Sequence, residues 1–257
     1  MLLTIDVGNT NIAFGFYDLN AQSFVRQWCL ETRSQRTSDE YFSLLSPILQ
    51  KYANIADIII SSVVPDVTVT VTRFCHQHLH MNPIIIAPRL NNFPITINID
   101  DPAQLGADRL VNAIAAKHKY KTPIVIIDFG TATTFDVIGE KGAYDGGMIA
   151  PGVNLSLEAL HNAAAKLPKI AISEYQKDNV IATNVYDAMQ AGIYWGYVSM
   201  VEGCLSRIDK QLGIKATHIA TGGLGRLFDQ QENLFDCYNP NLSLDGLVIL
   251  YTRYSYR

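Results

Sequence analysis

Short apolar runs, each halted by a polar or glycine-bearing turn, set the rhythm of this chain. Leu2-Leu3-Thr4-Ile5 meets Asp6, and Ile124-Val125-Ile126-Ile127 meets Asp128. Runs of this length and β-branched content predict buried strands. A second β-rich stretch follows each one, at 12–17 and 134–138, so both pairs read as hairpins. The first half continues with a predicted strand at 24–30, a helix at 38–52, a strand at 57–63, a helix at 66–78 and a strand at 83–87. The second half repeats the opening, with a strand near 144–149 and a helix over 153–166. A long helix is predicted over 184–211, where Val185, Met189, Ile193, Met200, Leu205 and Ile208 recur at helical spacing. A strand at 217–220, a glycine-rich turn and a last helix from about Asp245 close the pattern.

An antiparallel start followed by helix-connected parallel strands, occurring twice, predicts two related α/β halves. Between them, Asp101-Pro102-Ala103-Gln104 predicts the start of a connecting helix, with Asp as cap, Pro first and Gln third. Lys117, Lys119 and Lys121 suit the negative end of that helix. The halves are therefore expected at 1–121 and 122–257, sharing an interface because no flexible linker separates them.

Composition narrows the class. Hydrophobic residues make up 48% and charged residues 17%, which fits a globular chain rather than a disordered one. The net charge of −4 and scattered Lys and Arg offer no footprint for nucleic acid. No run approaches the roughly 20 apolar residues a membrane span needs, and Asp6 interrupts the apolar opening too early for a signal peptide. Cys29, Cys75, Cys204 and Cys237 lie far apart, so reduced thiols and a cytoplasmic location are expected. His76 and His80 stand one helical turn apart, but no second Cys/His cluster accompanies them, and a solvated helix end is the simpler reading. Gly192 and Gly196, also one turn apart, predict close helix packing, either internal or between subunits.

The repeated turns suggest chemistry. In Asp6-Val7-Gly8-Asn9-Thr10 and Asp128-Phe129-Gly130-Thr131-Ala132, glycine lets the backbone turn tightly and expose N–H groups to phosphate oxygens. Asn9, Thr10 and Thr131 add side-chain donors, and Asp6 and Asp128 can hold a hydrated metal in an expected cleft. One such turn is better explained by a strand end with a solvated Asp. Two, each behind a strand and ahead of a hairpin, predict nucleotide binding. Gly222-Gly223-Leu224-Gly225 suits either an adenosine or close packing alone. No Gly-x-x-x-x-Gly-Lys-[Ser/Thr] or Gly-x-Gly-x-x-Gly motif occurs. In Gly106-Ala107-Asp108-Arg109, Asp108 could accept a proton from an attacking hydroxyl and Arg109 could hold an anion. On spacing alone the plainer reading is stronger: an acidic residue favoured at a helix N-terminus by the dipole.

Asp6-Val7-Gly8-Asn9-Thr10-Asn11, Gly106-Ala107-Asp108-Arg109, Asp128-Phe129-Gly130-Thr131-Ala132-Thr133 and Gly146-Gly147-Met148-Ile149-Ala150-Pro151-Gly152 occur together and in order. Over nearly its whole length the chain resembles type III pantothenate kinase, of the acetate and sugar kinase/heat-shock chaperone/actin superfamily. The resemblance implies two duplicated ribonuclease H-like (actin-like ATPase) domains with an interdomain cleft. It implies ATP-dependent phosphorylation of pantothenate to phosphopantothenate, the first step of coenzyme A biosynthesis. It implies that Asp6, Val7, Gly8, Asn9, Thr10, Asn11, Ile12, Ala13 and Thr131 bind ATP. Gly106, Ala107, Asp108, Arg109 and Thr183 would bind pantothenate, with Asp108 as proton acceptor. Asp128 would hold a monovalent cation, K+ or NH4+, which the family needs alongside a divalent ion such as Mg2+. A homodimer is implied as well.

Thr183 reads independently as the N-cap of the long helix. Members of the family often carry a Tyr lining the pantothenate pocket; here Ile99 stands at that position, keeping an apolar wall without the phenolic hydroxyl. The alternatives are a related small-molecule kinase or phosphatase of the same superfamily, or a nucleotide-binding transcriptional accessory protein.

Overall fold

A computed structural model describes residues 1–52, 54–87, 93–164, 166–172, 180–229, 231 and 234–254. By its contacts the chain forms two compact units. One comprises Met1–Thr96, Asp100–His118 and Asn241–Arg257; the other comprises Ile97–Ile99 and Lys119–Pro240. The boundary expected after Lys121 falls near one of these junctions, while the last segment groups with the first unit.

In the first unit, β1 (Leu2–Val7), β2 (Asn11–Asp18), β3 (Ser23–Glu31), β4 (Asp57–Ser62) and β5 (Ile84–Ile86) form one sheet in the order β3-β2-β1-β4-β5. The hairpin pairs are antiparallel, whereas β1, β4 and β5 run parallel. Alternation along the strands sends Leu3, Ile5, Val7, Ile58 and Ile60 to one face. There they pack with Tyr41 and Leu45 of α1 (Ser38–Lys51) and Val67, Val71 and Phe74 of α2 (Pro65–His78). Helix α1 starts on a full capping box, with Thr37 and Glu40 bonding each other's backbone N–H groups. Helix α6 (Leu242–Tyr254) lies on β1, β2 and β4. A Cβ at its Gly246 would come within 2.3 Å of the Val111 carbonyl oxygen, so α6 also presses on α3 (Ala107–Lys119).

The second unit repeats the plan. Its strands are β6 (Ile124–Phe129), β7 (Ala132–Ile138), β8 (Tyr144–Pro151), β9 (Thr217–Thr221) and β10 (Cys237–Tyr238). Read from the hairpin edge their order is β8-β7-β6-β9-β10, the same topology strand for strand. Val125, Ile127 and Phe129 pack with Val153 of α4 (Val153–Ala163), with Tyr194, Tyr197, Val201 and Leu205 of α5 (Val185–Leu212), and with Phe228. The echo between the two apolar runs is thus a duplicated α/β fold.

Some expectations shift. The connecting helix does not begin at Asp101. The Asp101 carboxylate does cap Ala103 N–H and accepts from Gln104 Nε2, but it caps only a 3-10 turn, Pro102–Gln104. Leu105 then turns extended (φ −69°, ψ 125°) and is buried, which breaks the helix, and α3 starts at Ala107. Helix α4 stops at Ala163, where Ala164 is extended; the predicted continuation crosses Ala165, which lies outside the described residues. The last helix starts at Leu242, three residues before the expected Asp245. The short β10 carried too little pattern to be predicted from the sequence.

Candidate functional site

The first unit brings Asp6, the glycine turn and the start of α3 together. Asp6 is the penultimate residue of β1 and pairs with Ala13 on one side and Ser61 on the other. Its neighbours Ile5 and Val7 are wholly buried. Burial is the main reason its carboxyl is pushed up to about 6; the nearby Ser243 and Ser61 hydroxyls offset part of this, and the charge of Asp108 adds to it. Oδ1 of Asp6 is buried and makes no hydrogen bond, and neither does Ser61 Oγ. A buried, unsatisfied carboxylate oxygen is costly in the ligand-free protein.

Beyond Val7 the backbone closes through Gly8 N–H donating to the Asn11 carbonyl at 3.0 Å. Asn9, Thr10 and Asn11 are exposed. Thr32 braces this turn from β3's far end, its hydroxyl donating to the Gly8 carbonyl at 2.7 Å and its N–H to the Thr10 carbonyl at 2.8 Å. Ile12 is buried and Ala13 sits beside Asp6 in the ladder, so these two shape the turn from inside.

Gly106 caps α3: its carbonyl accepts the first helical bond from Leu110 N–H. Asp108, in the first turn, folds back so that Oδ1 accepts from Arg109 N–H at 2.7 Å. A Cβ at Gly106 would lie 2.4 Å from that same oxygen, so the carboxylate's position requires glycine there. Ala107 is buried beneath the turn. The influence of Asp108 on the Asp6 carboxyl places the two acids in one electrostatic neighbourhood.

The second unit holds the matching turn. Asp128 is the penultimate residue of β6, with Thr134 and Thr221 as ladder partners. Gly130 N–H donates to the Ala132 carbonyl at 3.1 Å, so this turn has three residues between paired positions where the first has four. Gly152, before α4, is pressed against it: a Cβ there would sit 2.2 Å from the Thr131 carbonyl oxygen. Gly222, at φ +85°, does the same from the other side, a Cβ lying 2.4 Å from Asp128 Oδ1. Tyr238 donates to the Gly222 carbonyl at 3.0 Å. Burial raises the Tyr238 phenol, with Asp229 and, more weakly, Asp128 contributing. The Gly222–Gly225 turn is therefore part of the Asp128 surroundings.

Thr183 is exposed and does not cap α5; Asn184 does, its Oδ1 accepting from Asp187 N–H at 2.9 Å. The Gly222 turn was open from the sequence between adenosine binding and packing, whereas Thr32 and Gly152 were not singled out as site residues. Gly152 closes the fourth motif and could have been found there. Thr32 has no local signal, because its partner Gly8 lies 24 residues away. Among the described residues no group of three His, Cys, Asp or Glu side chains is placed to hold a metal ion. No helix among them is long and apolar enough to cross a membrane.

The family profile described as type III pantothenate kinase matches residues 2–207. Among curated proteins, the chain is 43% identical to a type III pantothenate kinase of Caulobacter vibrioides, over 98% of this chain and 97% of that one. It is 44% identical to the enzyme of the same description from Phenylobacterium zucineum, over 98% of each. Among solved structures, a putative 2-dehydro-3-deoxygalactonokinase from Sinorhizobium meliloti superposes with a TM-score of 0.58 at 11% identity, covering 100% of this chain and 97% of that one. A putative Baf family transcriptional activator from Campylobacter jejuni superposes at 0.52 with 19% identity, over 97% and 96%. At these identities the structures establish the fold, two ribonuclease H-like domains of the actin-like ATPase and sugar kinase type, and nothing more.

Because the Asp6 carboxyl is raised in the folded state, folding takes up a proton between about pH 4 and 6, and stability falls as pH rises through that window. The penalty is fully present above it. Asp6→Asn should therefore stabilise the ligand-free protein at pH 8 by on the order of 2–3 kcal/mol and leave it unchanged below pH 4. Denaturant midpoints at the two pH values check this; equal midpoints at pH 8 would mean the Asp6 charge is already compensated.

Proposed function

From the premise that this chain belongs to the type III pantothenate kinase family, we propose a role for each part of the two turns and of the α3 N-terminus. The protein phosphorylates pantothenate with ATP, the first step of coenzyme A biosynthesis. The observation that carries the assignment is Asp108. It is a carboxylate fixed by Arg109 N–H at the mouth of a helix, in the motif Gly106-Ala107-Asp108-Arg109 and close enough to perturb Asp6.

Asp108 accepts the proton of pantothenate's primary hydroxyl as that oxygen bonds to the γ-phosphorus of ATP. The bond from that phosphorus to the β,γ-bridging oxygen breaks and ADP leaves with the electron pair. The Arg109 N–H bond holds the carboxylate in one rotamer, so proximity rather than strong basicity supplies most of its effect. Negative charge at this point is favoured by the α3 dipole. Arg109 pairs with the pantothenate carboxylate, and Gly106 and Ala107 leave room for the substrate chain. Thr183, exposed ahead of α5, is a further substrate contact.

N–H groups of the turn Asp6 to Ala13, with the hydroxyl and amide side chains of Asn9, Thr10 and Asn11, hold ATP phosphates, and Thr131 is a further ATP contact. The Gly222–Gly225 turn is suited to the adenosine. The orphaned Asp6 Oδ1 fits a hydrated Mg2+, and Asp128, whose carboxylate lies where a side chain at Gly222 would intrude, fits K+ or NH4+. When bound, these ions neutralise charge on the phosphates. On this reading the enzyme works in the cytoplasm.

We also assign a homodimer. Ile149 of β8, Leu155 and Leu160 of α4, and Val185 and Tyr186 of α5 are exposed apolar side chains in the second unit. Gly192 and Gly196 on α5 meet no other atom within 4 Å of an added Cβ among the described residues. A second copy of the chain covering this surface accounts for both. Sedimentation should give twice the 28.5 kDa chain mass, and Ile149→Lys should shift the protein toward monomer. A wild-type monomer at micromolar concentration would rule the dimer out.

Purified protein should form phosphopantothenate from ATP and pantothenate, with turnover that depends on potassium. Asp108→Asn should lower kcat by about 100-fold or more, while ATP binding measured by calorimetry stays within about twofold. Near-normal turnover in that variant would place the base elsewhere. Absence of product from the folded wild type would move the acceptor to another small molecule.

A further inference from the structure

The second unit contains a buried carboxylate that the reaction scheme does not use. Asp136 of β7 is fully buried, and two hydroxyls donate to it: Tyr144 Oη to Oδ1 at 2.5 Å and Thr134 Oγ1 to Oδ2 at 3.2 Å. Tyr144 is itself buried, at 1% exposure, so its bond to Asp136 is not shared with bulk water. The ladder puts these groups on the same sheet face as Asp128. Asp128 is paired across β6 and β7 with Thr134, and Asp136 lies two residues further along β7.

The direction of the hydrogen bonds carries the argument. A carboxylate accepts from both hydroxyls, so the Thr134 hydrogen is committed to Asp136. What Thr134 presents on its other side is oxygen lone pairs. Its directly opposed neighbour in the ladder is Asp128, and side chains so paired stand about 4.5–5.5 Å apart at Cβ. A hydroxyl whose hydrogen is directed elsewhere offers the facing carboxylate only lone pairs, an arrangement that a cation bound between them satisfies. A hydroxyl oxygen opposed in the ladder to a carboxylate, its hydrogen directed elsewhere, suits a weakly hydrated cation.

We propose that Thr134 supplies a second oxygen ligand to the monovalent cation assigned to Asp128, with Asp136 acting as the positioning residue that aims it. The proposal rests on the Asp128 cation reading and extends it by one ligand and one supporting group. Thr134 contacts the ion directly, whereas Asp136 acts only through Thr134.

The test uses the full-length protein without nucleotide or pantothenate. The readout is the rise in unfolding temperature when tetramethylammonium chloride is replaced by potassium chloride at equal ionic strength, together with thallium(I) binding by NMR. Wild type and Thr134→Ser should respond alike, because the serine keeps the hydroxyl. Thr134→Val should need about tenfold more potassium for the same rise and bind thallium about tenfold more weakly. Asp136→Asn should move the same way, and the double variant should be no worse than Thr134→Val, the signature of one residue acting through the other. Should Asp136→Asn fail to fold, the near-isosteric Thr134→Val still decides whether Thr134 is a ligand. A wild-type potassium response in Thr134→Val overturns the proposal and leaves the Asp128 reading standing. A wild type with no potassium-specific rise and no thallium binding removes the Asp128 reading, and this inference with it.

Discussion

A carboxylate held at the end of a strand that cannot leave the core is the constraint from which the rest follows. Strand β1 is locked between β2 and β4, and its flanking side chains are buried, so Asp6 keeps one carboxylate oxygen buried. The desolvation cost shows in the raised Asp6 carboxyl and in an oxygen without a partner. A group kept in so unfavourable a state by well-packed surroundings is suited to a charged ligand, because the fold has already met the cost of withdrawing it from water.

The second unit solves the same problem with different neighbours. Asp128 also lies one residue from the end of a central strand, but it is crowded by Gly222, and its turn is one residue shorter. Hydroxyl groups surround it in the ladder, from Thr134 and Thr221. A repeated topology has therefore produced two environments: Asp6 between Ala13 and Ser61 with one oxygen unpaired, and Asp128 between Thr134 and Thr221 against Gly222.

Rigidity comes from backbone meeting backbone. Gly152 and Gly222 press on the Gly130 turn at distances that no other residue allows, and Thr32 bolts the Gly8 turn through two hydrogen bonds. Phosphate-binding N–H groups work only if they are already aimed, since reorganisation during reaction would erode the stabilisation. At the α3 start the same logic applies to an acid: Gly106 makes room for Asp108, and Arg109 N–H holds it.

Taken by itself, the sequence determined the duplicated strand–turn–hairpin units, the helices α1, α2 and α5 and the motifs carrying Asp6, Asp108 and Asp128. These are written in residues close along the chain, where periodicity, capping and glycine act locally. Tertiary structure decided the rest. The capping pattern at Asp101 was real, yet burial of Leu105 ended its helix after one turn. Asn184 took the cap that Thr183 could equally have filled, because the chain entered α5 one residue later. Helix α6 joined the first unit, where Gly246 meets Val111 across more than half the chain. The bracing by Thr32, the approach of Gly222 to Asp128 and the Tyr144–Asp136–Thr134 chain likewise depend on strands being paired in register. Such contacts have no signature in neighbouring residues, since only packing brings their partners together.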